Sequence, residues 1–343
     1  MPNIKECIEG VARLQANDPR AAAMLWGPPG MGKSAAAKEI HKRQGLDPER
    51  FLSINVTNHE VWDFTGVPEI VDGTDGNGRM TSFAPTDIFA RFRKGTGAGT
   101  INLEELPQSS IHHQTWAAGF IEDRKTTLFE LDPEVRFICT GNRAEDRSGA
   151  KQLLAHLNDR LYHLIMETCV DSWCEWAMEN GVDPFMVAFI RLRRELLNDF
   201  DPARRSNPTQ RSWTRVSTQV PVDLPTGIYL ALAEGKVGEG AAAEWVAARD
   251  MMGQMPNIDA IRLHPTTTEI PEKPAVRFAV ATAMSMSAEE SMFARDMTYI
   301  NRMPPEYQML YVTDALRLIP ELAQSSAFTK WAIDNKDIMI GGN

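Results

Sequence analysis

Apolar residues in this chain recur with two different periods, and the period changes partway along. Ile4, Ile8, Val11 and Leu14 sit at helical spacing and predict a helix over 4–16. The compact apolar run Ala22–Trp26 predicts a short buried strand. Phe51–Val56 alternates apolar with polar residues and predicts a second strand. Gly99–Leu103 and Val135–Thr140 predict a third and a fourth. Leu153–Leu161 reads as a helix ending in a polar elbow. Strands separated by helical stretches imply a parallel sheet covered on both faces, hence an α/β fold. The segment Asp63–Phe83, rich in Gly, Asp and Thr, predicts a surface hairpin with its tip at Asp72–Gly78.

Strand signals fade after about residue 170, and helical patterns continue to the end. Proline- and threonine-rich connectors interrupt them near 201–209, 221–226 and 264–275. The expected division is a nucleotide-binding core over 1–170, a helical lid over 171–221 and a helical extension over 222–343. No internal repeat or low-complexity tract is visible.

Composition narrows the function classes. The chain has 343 residues, of which 43% are apolar, and a net charge of −10. The acidic balance argues against a broad nucleic-acid surface, although a local basic groove stays open. The nearest basic cluster is Arg191-Leu192-Arg193-Arg194 with Arg204-Arg205, and it has acids beside it at Glu195, Asp199 and Asp201. Cys7, Cys139, Cys169 and Cys174 form no metal-binding set and read as reduced, mostly buried thiols. No apolar run reaches the length of a membrane span, and the first residues lack the pattern of a secretion signal. A cytoplasmic protein is expected.

The chemistry begins at Gly27-Pro28-Pro29-Gly30-Met31-Gly32-Lys33-Ser34, which fits the phosphate-binding pattern G-x-x-x-x-G-K-[ST]. It stands between a predicted strand and a predicted helix, the setting the motif requires. Backbone N–H groups of such a loop face one anion, and the helix N-terminus adds partial positive charge. Lys33 would reach the β- and γ-phosphates, and Ser34 would hold Mg²⁺. The strand Ile101-Asn102-Leu103 ends in Glu104 and Glu105. Glu104 stands where P-loop ATPases normally carry Asp, and would support the metal through its water shell. Glu105 would polarise the attacking water. The next strand ends in Thr140-Gly141-Asn142-Arg143, and Asn142 could bond both the γ-phosphate and that water. Arg160, at the polar elbow Asn158-Asp159-Arg160, could reach a neighbour's nucleotide. Arg143 and Arg147 lie near the same edge as alternatives. Arg211, in Pro208-Thr209-Gln210-Arg211-Ser212-Trp213, would either contact phosphate or stack on Trp213.

In this order the motifs resemble an AAA+ ATPase. More closely the chain is similar to the MoxR-like group, in a prophage and bacterial subgroup with a Pro-Thr-x-Arg-Ser-Trp lid motif and a long helical tail. The resemblance implies ATP and Mg²⁺ as cofactors and a homo-oligomeric ring, usually a hexamer. Arg160 would be the finger supplied in trans and Arg211 the second sensor. It implies a chaperone-like remodeler of a protein substrate, often partnered by a von Willebrand factor A domain protein. It places a short pore-facing insertion within Gly119–Leu128, and the aromatics of Trp62-Asp63-Phe64 near substrate-gripping loops. Leu161 stands where the family commonly has Phe. A DNA-directed motor or loader is the alternative function.

Overall fold

A computed structural model describes residues 2–72, 78–84, 88–146, 149–252 and 254–336. Residues 73–77 of the expected hairpin tip, and the alternative arginine, Arg147, lie outside the described residues. Contacts group the chain into two units. The first holds Met1–Cys169 with Phe200–Pro202, and the second holds Val170–Asp199 with Ala203–Asn343.

The first unit is an α/β P-loop fold. Helix α1 (Ile4–Asn17) starts at Asn3, whose side chain accepts from the N–H groups of Lys5 and Glu6. The Glu6 carboxylate accepts in return from the Asn3 N–H at 2.8 Å, closing a reciprocal cap. Strand β1 (Ala22–Trp26) follows, then helix α2 (Lys33–Arg43) and strand β2 (Phe51–Asn55). A short helix α3 (Val61–Thr65) leads into an antiparallel hairpin of β3 (Val67–Asp72) and β4 (Arg79–Ala84). Strand β5 (Gly99–Glu104), helix α4 (Ile111–Asp123), strand β6 (Val135–Gly141), helix α5 (Ala155–Asn158) and strand β7 (Leu161–Ile165) complete the unit.

Five strands form one parallel sheet in the order β2-β5-β6-β1-β7. Side chains along β1 alternate between two cores. Ala23 and Leu25 join Val11 of α1 and Ala37 and Ile40 of α2. Ala22 and Met24 join Leu103, Phe137 and Phe120 of α4 on the opposite face. Leu25 is fully buried, so truncating it to Ala would cost about 2–5 kcal/mol. With both faces covered, the sheet offers ligands only its carboxyl edge, where the chain leaves β1, β5 and β6.

One expectation is corrected. Residues 153–161 do not form a continuous helix. Helix α5 is a single turn, and Leu161 opens a fifth parallel strand, paired with β1 from Ala22↔Leu161 to Trp26↔Ile165. Leu161 is buried and Leu164 packs on the α1–α2 core, while Tyr162, His163 and Ile165 are exposed. An edge strand that is half solvated lacks the apolar run that marked the inner strands.

The second unit is helical. Its helices are α6 (Val170–Glu179), α7 (Pro184–Leu192), α8 (Gln210–Gln219), α9 (Thr226–Val237), α10 (Glu239–Met252), α11 (Ile258–Leu263), α12 (Pro274–Met286), α13 (Phe293–Ile300), α14 (Pro305–Leu318) and α15 (Ser326–Asp334). One core gathers around Phe189, Trp213, Tyr229 and Trp245. Another gathers around Met284, Phe293, Tyr311 and Trp331. Two buried ion pairs tie its helices together. Arg191 meets Asp314 in a bidentate pair at 2.6 and 3.0 Å. Arg262 meets Asp296 at 2.9 Å, and Asp296 also accepts from the Tyr311 hydroxyl at 3.1 Å.

All four cysteines are free thiols, and only Cys169 is partly exposed. Burial pushes the Cys7 thiol up to about 11, and Cys139 and Cys174 up to about 12. Those three are packing groups rather than nucleophiles.

Candidate functional site

The loop Gly27–Ser34 leaves the end of β1 and turns directly into α2. Gly32 is the N-cap of α2 at φ 96°, a left-handed conformation that glycine adopts without a Cβ penalty. No side chain caps this helix end. A helix N-terminus that no side chain caps, at the end of a glycine-rich loop, is the arrangement that binds phosphate.

Lys33 folds back over the loop. Its ammonium donates to the carbonyls of Gly27 at 2.7 Å and Pro28 at 2.9 Å, and to Asn142 Oδ1 at 2.8 Å. The phosphate-loop lysine and the polar residue after β6 thus share one hydrogen bond. Gly141 makes this approach possible. A Cβ there would lie 2.2 Å from Cδ of the Pro107 ring and 2.9 Å from Met24, so only glycine lets β6 pass. Gly27 N–H donates to Gly141 O at 3.3 Å, which ties the loop to the same strand end.

The two acids end β5 in different states. Glu104 Oε1 accepts from Ser53 Oγ at 2.6 Å and from Asn102 Nδ2 at 3.2 Å. Glu105 is exposed and sits at φ 56°, ψ 31°, a left-handed conformation that costs a non-glycine residue energy. Its Oε2 lies 3.3 Å from the Thr57 hydroxyl. That hydroxyl also lies 2.7 Å from Asn55 Oδ1 and has a single proton to give. Glu105 is therefore held loosely, while Glu104 is held firmly.

Sequence reasoning missed Ser53, Asn55, Thr57 and Asn102. The signal was present in the alternation Ser53, Asn55 on β2 and Thr100, Asn102, Glu104 on β5. A parallel strand covered on both faces is normally apolar throughout. Polar residues at every second position of two neighbouring strands mark a face that serves the site.

The arginines near this edge differ in how they are held. Arg143 is paired with Asp146 Oδ1 at 2.9 Å and Glu145 at 2.6 Å, and the Asp146 hydrogen bond keeps its guanidinium more firmly protonated than usual. Arg160 is partly exposed. It donates to His156 O, and its Nε lies 3.3 Å from Glu122 Oε2, close enough for attraction but misaligned for a hydrogen bond. Arg160 is the less tightly committed of the two.

Other sequence candidates fall into place by burial. Phe64 is buried and stacks on Trp116 at 4.3 Å, whereas Trp62 is 55% exposed. Within Gly119–Leu128, residues through Asp123 finish α4, with Phe120 and Ile121 in the core, and a Lys125↔Glu130 bridge follows. In the second unit, Thr209 caps α8 by accepting from Ser212 N–H at 3.1 Å. Trp213 is fully buried, packs on Phe189 and donates to Leu196 O at 2.6 Å. Arg211 points outward on the first turn of α8 and is exposed. Four arginines of the basic cluster are paired with carboxylates. Besides Arg191 with Asp314, Arg194 pairs with Asp171 at 2.9 Å and Arg193 with Glu195 at 2.7 Å, and Arg204 pairs with Asp199 at 2.6 Å.

Ser34 and Glu104 supply hard oxygen donors of the type Mg²⁺ prefers. Among the described residues no group of three or more His, Cys, Asp or Glu side chains could cage a metal. A site with one or two protein oxygens fits Mg²⁺ that is completed by nucleotide phosphates and water. Among the described residues no helix is long and apolar enough to cross a membrane.

No protein-family model matches this chain, and no curated protein matches it. Solved structures do. One is NtrX from Brucella abortus, at 14% identity and TM-score 0.40, over 91% of this chain and 67% of that one. Another is a Cytophaga hutchinsonii protein provisionally named an ATPase, at 15% identity and TM-score 0.34, over 88% of this chain and 79% of that one. Likenesses this distant leave the functional reading to the geometry of the site itself.

Proposed function

We propose that this chain is an ATP-hydrolysing AAA+ ATPase of the MoxR type, working as a homo-oligomeric ring that remodels a protein partner. The observation that carries the reading is the convergence of the Gly27–Ser34 loop, Glu104, Glu105 and Asn142 at one carboxyl edge of the sheet, with Lys33 bonded to Asn142 at 2.8 Å. A scaffold that merely bound nucleotide would need neither Glu105 nor Asn142.

In the proposed reaction the loop N–H groups and the α2 N-terminus receive the phosphates, and Lys33 exchanges the Gly27, Pro28 and Asn142 oxygens for phosphate oxygens. Asn142, released by Lys33, orients the attacking water. Glu105 accepts a proton from that water as it attacks the γ-phosphorus, and ADP leaves with inorganic phosphate as the other product. Ser34 and Glu104 would hold Mg²⁺, which neutralises phosphate charge when bound.

Arg160 is the proposed finger, offered to the nucleotide of the next subunit, where it would stabilise charge on the γ-phosphoryl oxygens. Its weaker anchoring than that of Arg143 supports the choice. Arg211 is the proposed contact from the lid, and its exposure beside a Trp213 already committed to the core supports a ligand role over stacking. Trp62 rather than Phe64 is the aromatic left to grip a substrate chain. A von Willebrand factor A domain protein is the proposed partner, and the cytoplasm the proposed compartment. The carboxylate partners on Arg191, Arg193, Arg194 and Arg204 weigh against a DNA-directed motor.

Mixed-subunit kinetics test the ring. Arg160→Ala should bind ATP without turning it over, and mixing it with Lys33→Ala subunits should restore turnover. Absence of restoration, with mixed particles demonstrated, would remove Arg160 from the trans role.

A further inference from the structure

A fully buried polar side chain lies beneath the acidic edge, and the reaction described above does not use it. Asn102 is the register partner of Ser53 across β2 and β5, and it is 0% exposed. Its Nδ2 donates to Ser53 Oγ at 2.7 Å and approaches Glu104 Oε1 at 3.2 Å. The Ser53 hydroxyl, receiving from Asn102, donates its own proton to Glu104 Oε1 at 2.6 Å. Chemistry fixes the orientation of the amide. Turned over, it would set Asn102 Oδ1 against a carboxylate and strand its NH₂ group. As placed, Oδ1 has no hydrogen-bond partner among the described residues. A buried acceptor left unpaired is costly, so a packing role alone would be served better by an apolar residue.

Both donors act on the same oxygen. Oε2 of Glu104 takes no hydrogen bond from a described residue. Glutamate has one methylene and one torsion more than the aspartate usual at this position, so an unbraced Glu104 would sample several reaches. Charge-assisted hydrogen bonds to one oxygen select one of them.

We propose that Ser53 and Asn102 are positioning residues for Glu104, forming a relay that fixes its reach and leaves Oε2 as the oxygen offered to metal-bound water. The proposal rests on the ATPase reading and deepens it. Neither residue touches nucleotide. Their effect passes through Glu104, so it falls on the metal requirement rather than on phosphate binding.

The test uses the full chain and titrates Mg²⁺ against binding of a fluorescent ATP analogue, with Mn²⁺ electron paramagnetic resonance as a direct metal readout. Ser53→Ala should raise the half-saturating metal concentration about ten- to a hundredfold, the size of one charge-assisted hydrogen bond. Metal-free affinity for the analogue should stay within about twofold. Ser53→Thr, which keeps the hydroxyl, should restore the metal requirement. Adding Glu104→Asp to Ser53→Ala should recover part of it, because a shorter carboxylate needs no brace. A folded Ser53→Ala protein with an unchanged metal requirement, or with metal-free affinity lost in equal proportion, overturns the positioning role. A wild-type chain that binds no nucleotide at any metal concentration overturns the ATPase reading, and this one with it.

Discussion

Lys33 Nζ lies 2.8 Å from Asn142 Oδ1, so a residue opening α2 and a residue following β6, 109 positions later, share one hydrogen bond at the mouth of the phosphate loop. The bond gives the site a resting arrangement. Incoming phosphate competes with Asn142 for the same ammonium, and binding frees the amide to meet water. Two substitutions should therefore separate. Lys33→Ala should abolish ATP binding. Asn142→Ala should leave ATP affinity within a few-fold while lowering turnover about 10²- to 10³-fold, the usual cost of removing one oriented polar group from a reaction centre. Equilibrium binding and phosphate release on the same preparations check both.

Glu105 combines function with strain. Its left-handed backbone at φ 56° suits glycine better by about 1 kcal/mol. Glu105→Gly should raise the unfolding temperature of the first unit while eliminating turnover. Glu105→Gln should leave stability unchanged and lower turnover about 10²- to 10⁴-fold. Thermal unfolding read beside phosphate release distinguishes these outcomes. A Glu105→Gln protein that keeps its rate would take water activation away from this residue.

Gly141 carries a packing prediction. Gly141→Ala drives a methyl group into the Pro107 ring, which has no torsion to turn away. A destabilisation of about 1–3 kcal/mol is expected from such overpacking. Turnover should fall further than stability explains, because Asn142 shifts with the strand. Urea unfolding and steady-state rates measured together test it.

The first unit should also respond to acid. His41 is buried, Nε2 donates to Asp47 O at 2.9 Å, and Nδ1 accepts from Thr100 Oγ1 at 2.9 Å. Burial pulls its pKa below the ordinary 6.5, against the opposing pull of the Asp47 carbonyl, and the nearby Arg136 lowers it further. The unfolded chain thus binds the proton more readily than the folded one. This contribution to stability is present above about pH 6.5 and is lost progressively as pH falls from there toward the depressed folded value. Hydrogen exchange of β5 and α2 amides between pH 7.5 and 5 should report opening that grows with acid. His41→Gln should flatten that dependence.

The inner sheet was legible because β1 and β6 are buried on both faces and read as mostly apolar runs, and β5 keeps Ile101 and Leu103 at alternate positions. The phosphate loop was legible because its chemistry depends on local sequence, with glycines, lysine and serine at fixed spacing. Strand β7 was not, since Tyr162, His163 and Ile165 face solvent and only pairing with β1 makes the segment a strand. The support beneath the acids was missed for a different reason. The polar alternation on β2 and β5 is a local signal, but the meeting of Ser53 with Asn102, 49 residues away, depends on strand register, which no local pattern encodes. The bond between Lys33 and Asn142 is likewise a property of the sheet order.

The most direct test of the account is steady-state phosphate release from Mg²⁺–ATP by the full chain, measured beside Lys33→Ala and Glu105→Gln proteins of matched fold. The account predicts turnover by the wild type, neither binding nor turnover by Lys33→Ala, and binding without turnover by Glu105→Gln. Equal rates in all three preparations, or a wild type that neither binds nor hydrolyses ATP, would contradict it.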